Sequence, residues 1–480
     1  MGIFRSNDPT TFDAVDGIVI DESAPPPSMN GVASNVVCLV GQFERGSLAM
    51  QSVTSAGDLY EKYGQNSAFS GYKALLNKKF GSLKVVRALA AAAVAATKVF
   101  NDAGTGASVA ITALWKGAYG NGIKVTIEAG STTGKKYTIE DTNDGSVFPI
   151  EVYDNVLYTA IAAAMANSNL VSAITSVAAD AEPANCSATA LASGADGTIA
   201  DSDYQTAIAL AEAEACCNVL FLDAYNATRN GYLKTHAAAT EDKMVIVCAE
   251  EGDSAATAVS AAAGYRDAAG RVIFAFNHVL TNIDGANVYQ YPASWVASIL
   301  SQTSPHIDPA YAKNTEFLAG IVGLKLTLTR TEFIACKDAG IAAFEFDSDI
   351  GYKLKSGITT QIADSALVTI VRRRMADYLT ASAGRFMKAY QNAVNSYSNR
   401  IAVKAAILDF VGQRERLGML PSTKDMVSGK PTLVDIDSLN TDTAIGQGYF
   451  YIVWKQRIFS SMRFIVIKAQ IGETVSVTVE

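Results

Sequence analysis

The sequence predicts a multidomain α/β protein in which a β-rich insertion interrupts an α/β core and both chain ends are extended arms. Three observations lead there. From residue 203 to 276, helical stretches alternate with the apolar runs Val219–Leu222, Met244–Cys248 and Val272–Phe276, the pattern of parallel strands joined by helices. Between about 105 and 195 the character changes to Thr, Gly and alternating strands. At the ends stand Pro25-Pro26-Pro27 and the alternating run Thr474-Val-Ser-Val-Thr-Val-Glu480.

Taken in order, residues 1–34 read as an arm. The short apolar run Ile18-Val19-Ile20 is followed by three prolines, which favour a stiff polyproline segment. About ten such residues span ~30 Å, enough to carry that strand away from its own core. The core opens at Asn35-Val-Val-Cys-Leu-Val-Gly41, a buried-strand pattern. Ser55 then caps a helix with Asp58 in its first turn, a second helix is expected at 69–79, and Lys84-Val-Val-Arg87 is the next strand, so that 35–104 forms the first part of the core. The insertion, 105–195, holds the strand Ile123-Lys-Val-Thr-Ile-Glu128 after an Asn121-Gly122 turn, and an Ala-rich helix near 158–166.

Residues 196–360 form the α/β domain, with helices at 204–216, 231–240 and after Ser254. A carboxyl-terminal domain, 361–461, begins with one long helix at 364–397, whose apolar stripe runs from Leu367 through Met375, Phe386 and Val394 to Tyr397. A second helix covers 400–416 and stops at Gly418 and Pro421. Strands follow at 449–454 and 462–467, and 462–480 is the terminal strand arm. A terminal strand must pair with something, so Ile18, Val19 and Ile20 together with Phe464, Val466, Val475, Val477 and Val479 are candidates for exchange between subunits. Periodicity alone is equally consistent with pairing inside one subunit.

The 480-residue chain, at about 150 residues per domain, is long enough for roughly three domains. With 49% hydrophobic and 18% charged residues it is a globular composition thin in charge. Its net charge of −8, without a basic cluster, argues against nucleic-acid binding. The low-polarity stretch at 88–96 falls short of the ~20 residues of a membrane span, and the amino terminus lacks a basic region before an apolar core, so a cytoplasmic product is expected, without membrane insertion.

Chemistry is sparse. Six cysteines and three histidines have no metal-ligand spacing, so neither a metal nor a cofactor is expected. Gly130-Ser-Thr-Thr-Gly134-Lys135 has one residue too few between its glycines for a phosphate loop and no Ser or Thr after the lysine. Asp201-Ser-Asp203 and Asp347-Ser-Asp349 lack the rest of a calcium loop and read as caps and turns. Asp223, at the carboxyl end of a strand, is the best-placed catalytic candidate, and capping explains it more simply; an enzyme would need a cleft in which Asp223 or His278 has catalytic company. Arg372-Arg373-Arg374 makes either a basic ridge for an acidic partner or a solvated helix face.

Read in order, these residues resemble the contractile tail sheath proteins of bacteriophages and related contractile injection systems. The resemblance runs through Asn35–Gly41, the Gly46 turn, Val53-Thr-Ser with Tyr63-Gly64, and Lys84-Val-Val-Arg87. It continues in Gly117-Ala-Tyr-Gly-Asn-Gly-Ile123, similar to the family's Gly-x-Trp-Gly-Asn turn with Tyr119 for tryptophan. Leu191-Ala-Ser-Gly-Ala-Asp-Gly197 is similar to its Gly-Gly-x-Asp-Gly loop with Ser193 for the first glycine. Looser matches follow at 291–294, 320–323, 339–341, 372–375, Asn440 and the closing strands. The resemblance implies a sheath-type α/β core and a non-enzymatic subunit of stacked helical rings around a tail tube, contracting to drive the tube through an envelope. It also implies tube, baseplate and tail-terminator partners, assembly in a bacterial host cytoplasm and residence in a virion tail. Residues 12–22 and 462–480 would form the inter-subunit sheet, and Arg372, Arg373 and Arg374 would lie near the tube. A surface-layer subunit and an α/β enzyme with an inserted β domain are the other classes considered.

Overall fold

The computed structural model describes residues 3–5, 18–20, 28–64, 82–143, 147–176, 182–212, 218–240, 242–283, 285–363 and 367–462. The chain divides into two compact units, Ala33–Arg374 and the combination of Met1–Val32 with Met375–Glu480.

The larger unit is built on an eight-stranded sheet. From one edge its order is Gly351–Leu354, Ile341–Asp347, Val272–Phe276, Met244–Cys248, Val219–Leu222, Val36–Gln42, Ser82–Ala88 and Gln51–Val53. The interior strands are all parallel and each edge strand is antiparallel to its neighbour. Continuous apolar runs are what such strands need, because both faces are covered. In Val36–Gln42, Val37 and Leu39 enter the core on one face while Cys38 and Val40 enter the core on the other. The first face packs on the helix Pro292–Gln302, whose Trp295, Val296, Ile299 and Leu300 are fully buried. The second packs on the helices Asp201–Glu212, Ala227–Thr240, Ala255–Ala262 and Arg330–Asp338. This is the parallel α/β layer that the alternating pattern predicts.

Leaving the sheet after Phe276, the chain enters a three-stranded antiparallel sheet of Val279–Ile283, Ala286–Gln290 and Ile321–Leu324 that periodicity did not reveal. The turn-off is made by Asn277 at φ 72°, whose buried side-chain amide donates to the carbonyls of Leu326 and Phe344 and accepts from Leu326 N at 3.0 Å. Asparagine tolerates the left-handed region better than other side chains, which suits this buried corner.

Within the insertion, a four-stranded sheet (Glu151–Val156, Lys135–Asp141, Ile123–Ala129, Cys186–Ala190) and a three-stranded one (Val171–Ser176, Ala107–Lys116, Ala95–Asn101) enclose a core of their own. The Ala-rich helix expected at 158–166 is shorter, a 3₁₀ turn at Tyr158–Ala160 followed by the helix Ile161–Ala164.

The smaller unit contains most of the helix Ile370–Met387, then Tyr397–Arg416, Asp442–Gly446 and a two-stranded sheet of Thr432–Asp435 with Val453–Gln456. Its core is Met375, Tyr378, Leu379, Phe386, Val403, Ile407, Phe410 and Val434, with Met29 of the arm inserted among them. Val32 N donates to Ser382 Oγ at 3.2 Å, so residues 28–32 are fastened to this unit. The strand Ile18–Ile20 pairs in parallel with Ile3–Arg5. The single helix expected at 364–397 is corrected to the shorter Ile370–Met387, because Asn392 turns the chain at φ 65° and Ser396, accepting from Asn399 N, caps the next helix, expected at 400–416 and found at Tyr397–Arg416. The strand expected at 449–454 is likewise shifted to Val453–Gln456. The helix expected at 69–79 and the strands at 462–467 and 474–480, including Phe464, Val466, Val475, Val477 and Val479, lie outside the described residues.

Candidate functional site

Two loops quoted in the sequence reading come together where the insertion joins the core. Asn121 Nδ2 donates to Gly194 O at 2.9 Å while Gly194 N donates to Asn121 Oδ1 at 2.8 Å. Asp196 Oδ1 accepts from Ala118 N at 2.9 Å. A Cβ on Gly194 would sit 2.6 Å from Gly117 O, so the approach requires glycine. Ser193, standing where the family loop has glycine, nevertheless adopts φ 64°. Tyr119, the tryptophan replacement, donates to Asp141 and lies 4.6 Å from the buried Arg45 guanidinium.

Beneath these loops Arg87, 2% exposed, donates to the carbonyls of Phe43, Glu44 and Lys116 at 2.9 Å each. Burial pulls its guanidinium down to about 10, with Asp196 acting in the opposite direction, so it is a cation at neutral pH. The joint is a dense hydrogen-bonded neck that fixes entry to and exit from the insertion.

The catalytic candidates are structural. Asp223 is fully buried and accepts from Gln42 N at 2.8 Å and Tyr204 Oη at 3.0 Å, tying two neighbouring strands to the helix Asp201–Glu212. Burial and the Asp223 carboxylate push the Tyr204 phenol up, and Arg229 stacks 3.8 Å over its ring. His278 is 2% exposed, packed edge-on to Tyr291 with ring centroids 5.2 Å apart, and lowered to about 4 by desolvation. Among the described residues no cluster of His, Cys, Asp and Glu is arranged to hold a metal ion. No helix among them is long and apolar enough to cross a membrane.

The features suited to assembly belong to the smaller unit. Among the described residues its two-stranded sheet leaves both outer edges unpaired, a template for strands from another chain. On the helix Tyr397–Arg416, Val403, Ile407, Phe410 and Val411 face the core, while Tyr397, Ile401 and Leu408 make a second, exposed apolar stripe.

The three arginines separate. Arg374 is withdrawn from any surface role: it is 4% exposed, and its guanidinium donates to the carbonyls of Leu300 and Thr303 at 2.9 Å and of Ser34 at 3.3 Å. It thereby caps the end of the helix Pro292–Gln302. Arg372 and Arg373 are half-buried, and Arg373 Nη1 reaches Ala269 O at 3.5 Å.

No protein-family model and no curated protein matches the sequence. Solved structures do match in fold. A sheath tail protein of Desulfitobacterium hafniense aligns over 92% of this chain and all of its own, with TM-score 0.61 and 16% identity. A sheath tail protein of Listeria innocua covers 89% of this chain and 96% of its own, with TM-score 0.63 and 14% identity. The helical sheath of the anti-feeding prophage in its contracted state covers 96% and 99%, with TM-score 0.58 and 14% identity. The chain therefore has the fold of contractile sheath proteins over nearly its whole length.

Proposed function

We propose that the chain is a non-enzymatic structural subunit of a contractile sheath, polymerising as stacked helical rings around a tail tube and shortening to drive that tube through a target envelope. The observation that carries this reading is the alignment with a sheath tail protein over 92% of this chain and 100% of the other. Asp223 and His278, both spent on packing, support a role without catalysis.

Connectivity in such a polymer needs joints that survive large rigid-body movement, and strand pairing across subunits meets that need. We assign this role to residues 12–22 and 462–480, received on the open edges of the Thr432–Asp435/Val453–Gln456 sheet. Arg372 and Arg373 are assigned to the tube side. Tube, baseplate and tail-terminator proteins are the expected partners, with assembly in a bacterial cytoplasm and residence in a phage tail or injection device; genome ejection would apply to the former.

Negative-stain electron microscopy of the purified chain, alone and co-expressed with its tube protein, tests the reading. Long striated tubes are expected, whereas small globules under both conditions would refute it. A chain ending at Ile471 is expected to form no long tubes, and normal polymers from it would remove the carboxyl-terminal arm from the joint. Charge reversal at Arg372 and Arg373 is expected to weaken retention of the tube; undiminished retention would rule out their assignment.

A further inference from the structure

In the smaller unit, the turn between the helices Ile370–Met387 and Tyr397–Arg416 encloses a depression of about 700 Å³ against Phe450. Its lining carries two cations, Lys388 and Arg400, and no carboxylate. Lys388 is exposed, and neither cation has an ion-pair partner among the described residues. The Arg400 guanidinium is held in place, Nη1 donating to Asn395 O at 3.1 Å and Asn395 Oδ1 at 3.0 Å, while its Nε has no partner. Arg400 lies in the first turn of the 20-residue helix Tyr397–Arg416, while Lys388 directly follows the end of Ile370–Met387. The lining also carries apolar surface, Val394 at 78% exposed and the half-buried Phe450.

We infer that this depression receives a carboxylate-bearing segment of a second copy of this chain. A positioned guanidinium and a lysine in one concavity without an acid suit a carboxylate. A free inorganic anion would leave Val394 and Phe450 uncovered, whereas an acidic peptide segment fills both parts of the site. The chain carries 47 acidic against 39 basic side chains, so a second copy offers carboxylates in excess. The inference rests on the polymer reading and adds to it a contact separate from the strand arms.

Zero-length carbodiimide coupling of a mixture of unlabelled and ¹⁵N-labelled full-length chains tests it, since an amide forms only where an amine already touches a carboxylate. Mass spectrometry is expected to find Lys388 joined to an Asp or Glu of the other isotopic form, with yield reduced several-fold in Arg400→Gln. Polymers in which Lys388 links only within its own copy, or not at all, overturn the inference while leaving the sheath reading intact. Chains that do not associate overturn both.

Discussion

Burial of an imidazole ties stability to pH. His278 has an ordinary value near 6.5 in the unfolded chain and about 4 in the folded one, because desolvation opposes the charged ring. The folded state thus favours the neutral form. Its contribution is complete above about pH 6.5, and it falls away as the pH drops toward 4, where only the unfolded chain takes up the proton. Between pH 7.5 and 5 this one group should remove about 2 kcal/mol. His236 and His306 are lowered by burial too, so they push the same way. We expect the urea midpoint of the wild type to fall between pH 7.5 and 5, and that of His278→Gln to fall less; equal falls would contradict the assignment. Sequence placed His278 among catalytic candidates because histidine identity is visible and its surroundings are not. The same limit bears on Arg374: helical spacing sets it at the border of the apolar stripe, apart from Arg372 and Arg373, and only the fold shows it turned inward to three carbonyls.

At the scale of elements, legibility followed burial geometry. Val219–Leu222, Met244–Cys248 and Val272–Phe276 are continuous apolar runs because both faces of the sheet are covered, and their bounds were read correctly. The helix expected at 364–397 was not, because Phe386, Tyr390, Val394 and Tyr397 keep helical spacing through a turn. Spacing does not record that Asn392 leaves the helical region, nor that Val394 and Tyr397 are exposed. The paired loops at the neck were legible as motifs, yet nothing in either stretch alone says that they bond to each other. That bond predicts the outcome of Gly194→Ala. The new Cβ would lie 2.6 Å from Gly117 O and 2.9 Å from Ala96 Cβ, so backbone must shift and the Asn121 pair must loosen. A cost of about 1–3 kcal/mol is expected, typical of overpacking. Hydrogen exchange should report it as faster exchange at residues 95–101 and 117–123, with the strands Met244–Cys248 and Val272–Phe276 unchanged. Unaltered exchange at 117–123 would show that the neck does not depend on this approach.

For the molecule as a whole, each unit has its own buried core, and residues 28–32 of the arm are fastened into the smaller unit. Met29 is 2% exposed within that core, and Val32 is bonded to Ser382. A chain beginning at Ser28 therefore retains the contacts of Met29 and Val32 and, of the described elements, loses the paired strands Ile3–Arg5 and Ile18–Ile20. Two three-residue strands add little to a fold of this size, since an isolated two-stranded ribbon is marginal in water. Folding and assembly should then respond differently to the same deletion. The shortened chain is expected to show the thermal midpoint of the full chain to within about 2 °C, because a change of 1 kcal/mol shifts a large domain by only a few degrees. It should at the same time fail to form long tubes under conditions in which the full chain does. A large drop in the midpoint would mean that the arm stabilises its own subunit. Tubes of normal length at an unchanged midpoint would mean that the carboxyl-terminal strand connects subunits without it. Only the separation of the two readouts, intact folding with lost polymerisation, is what an arm built for exchange between subunits produces.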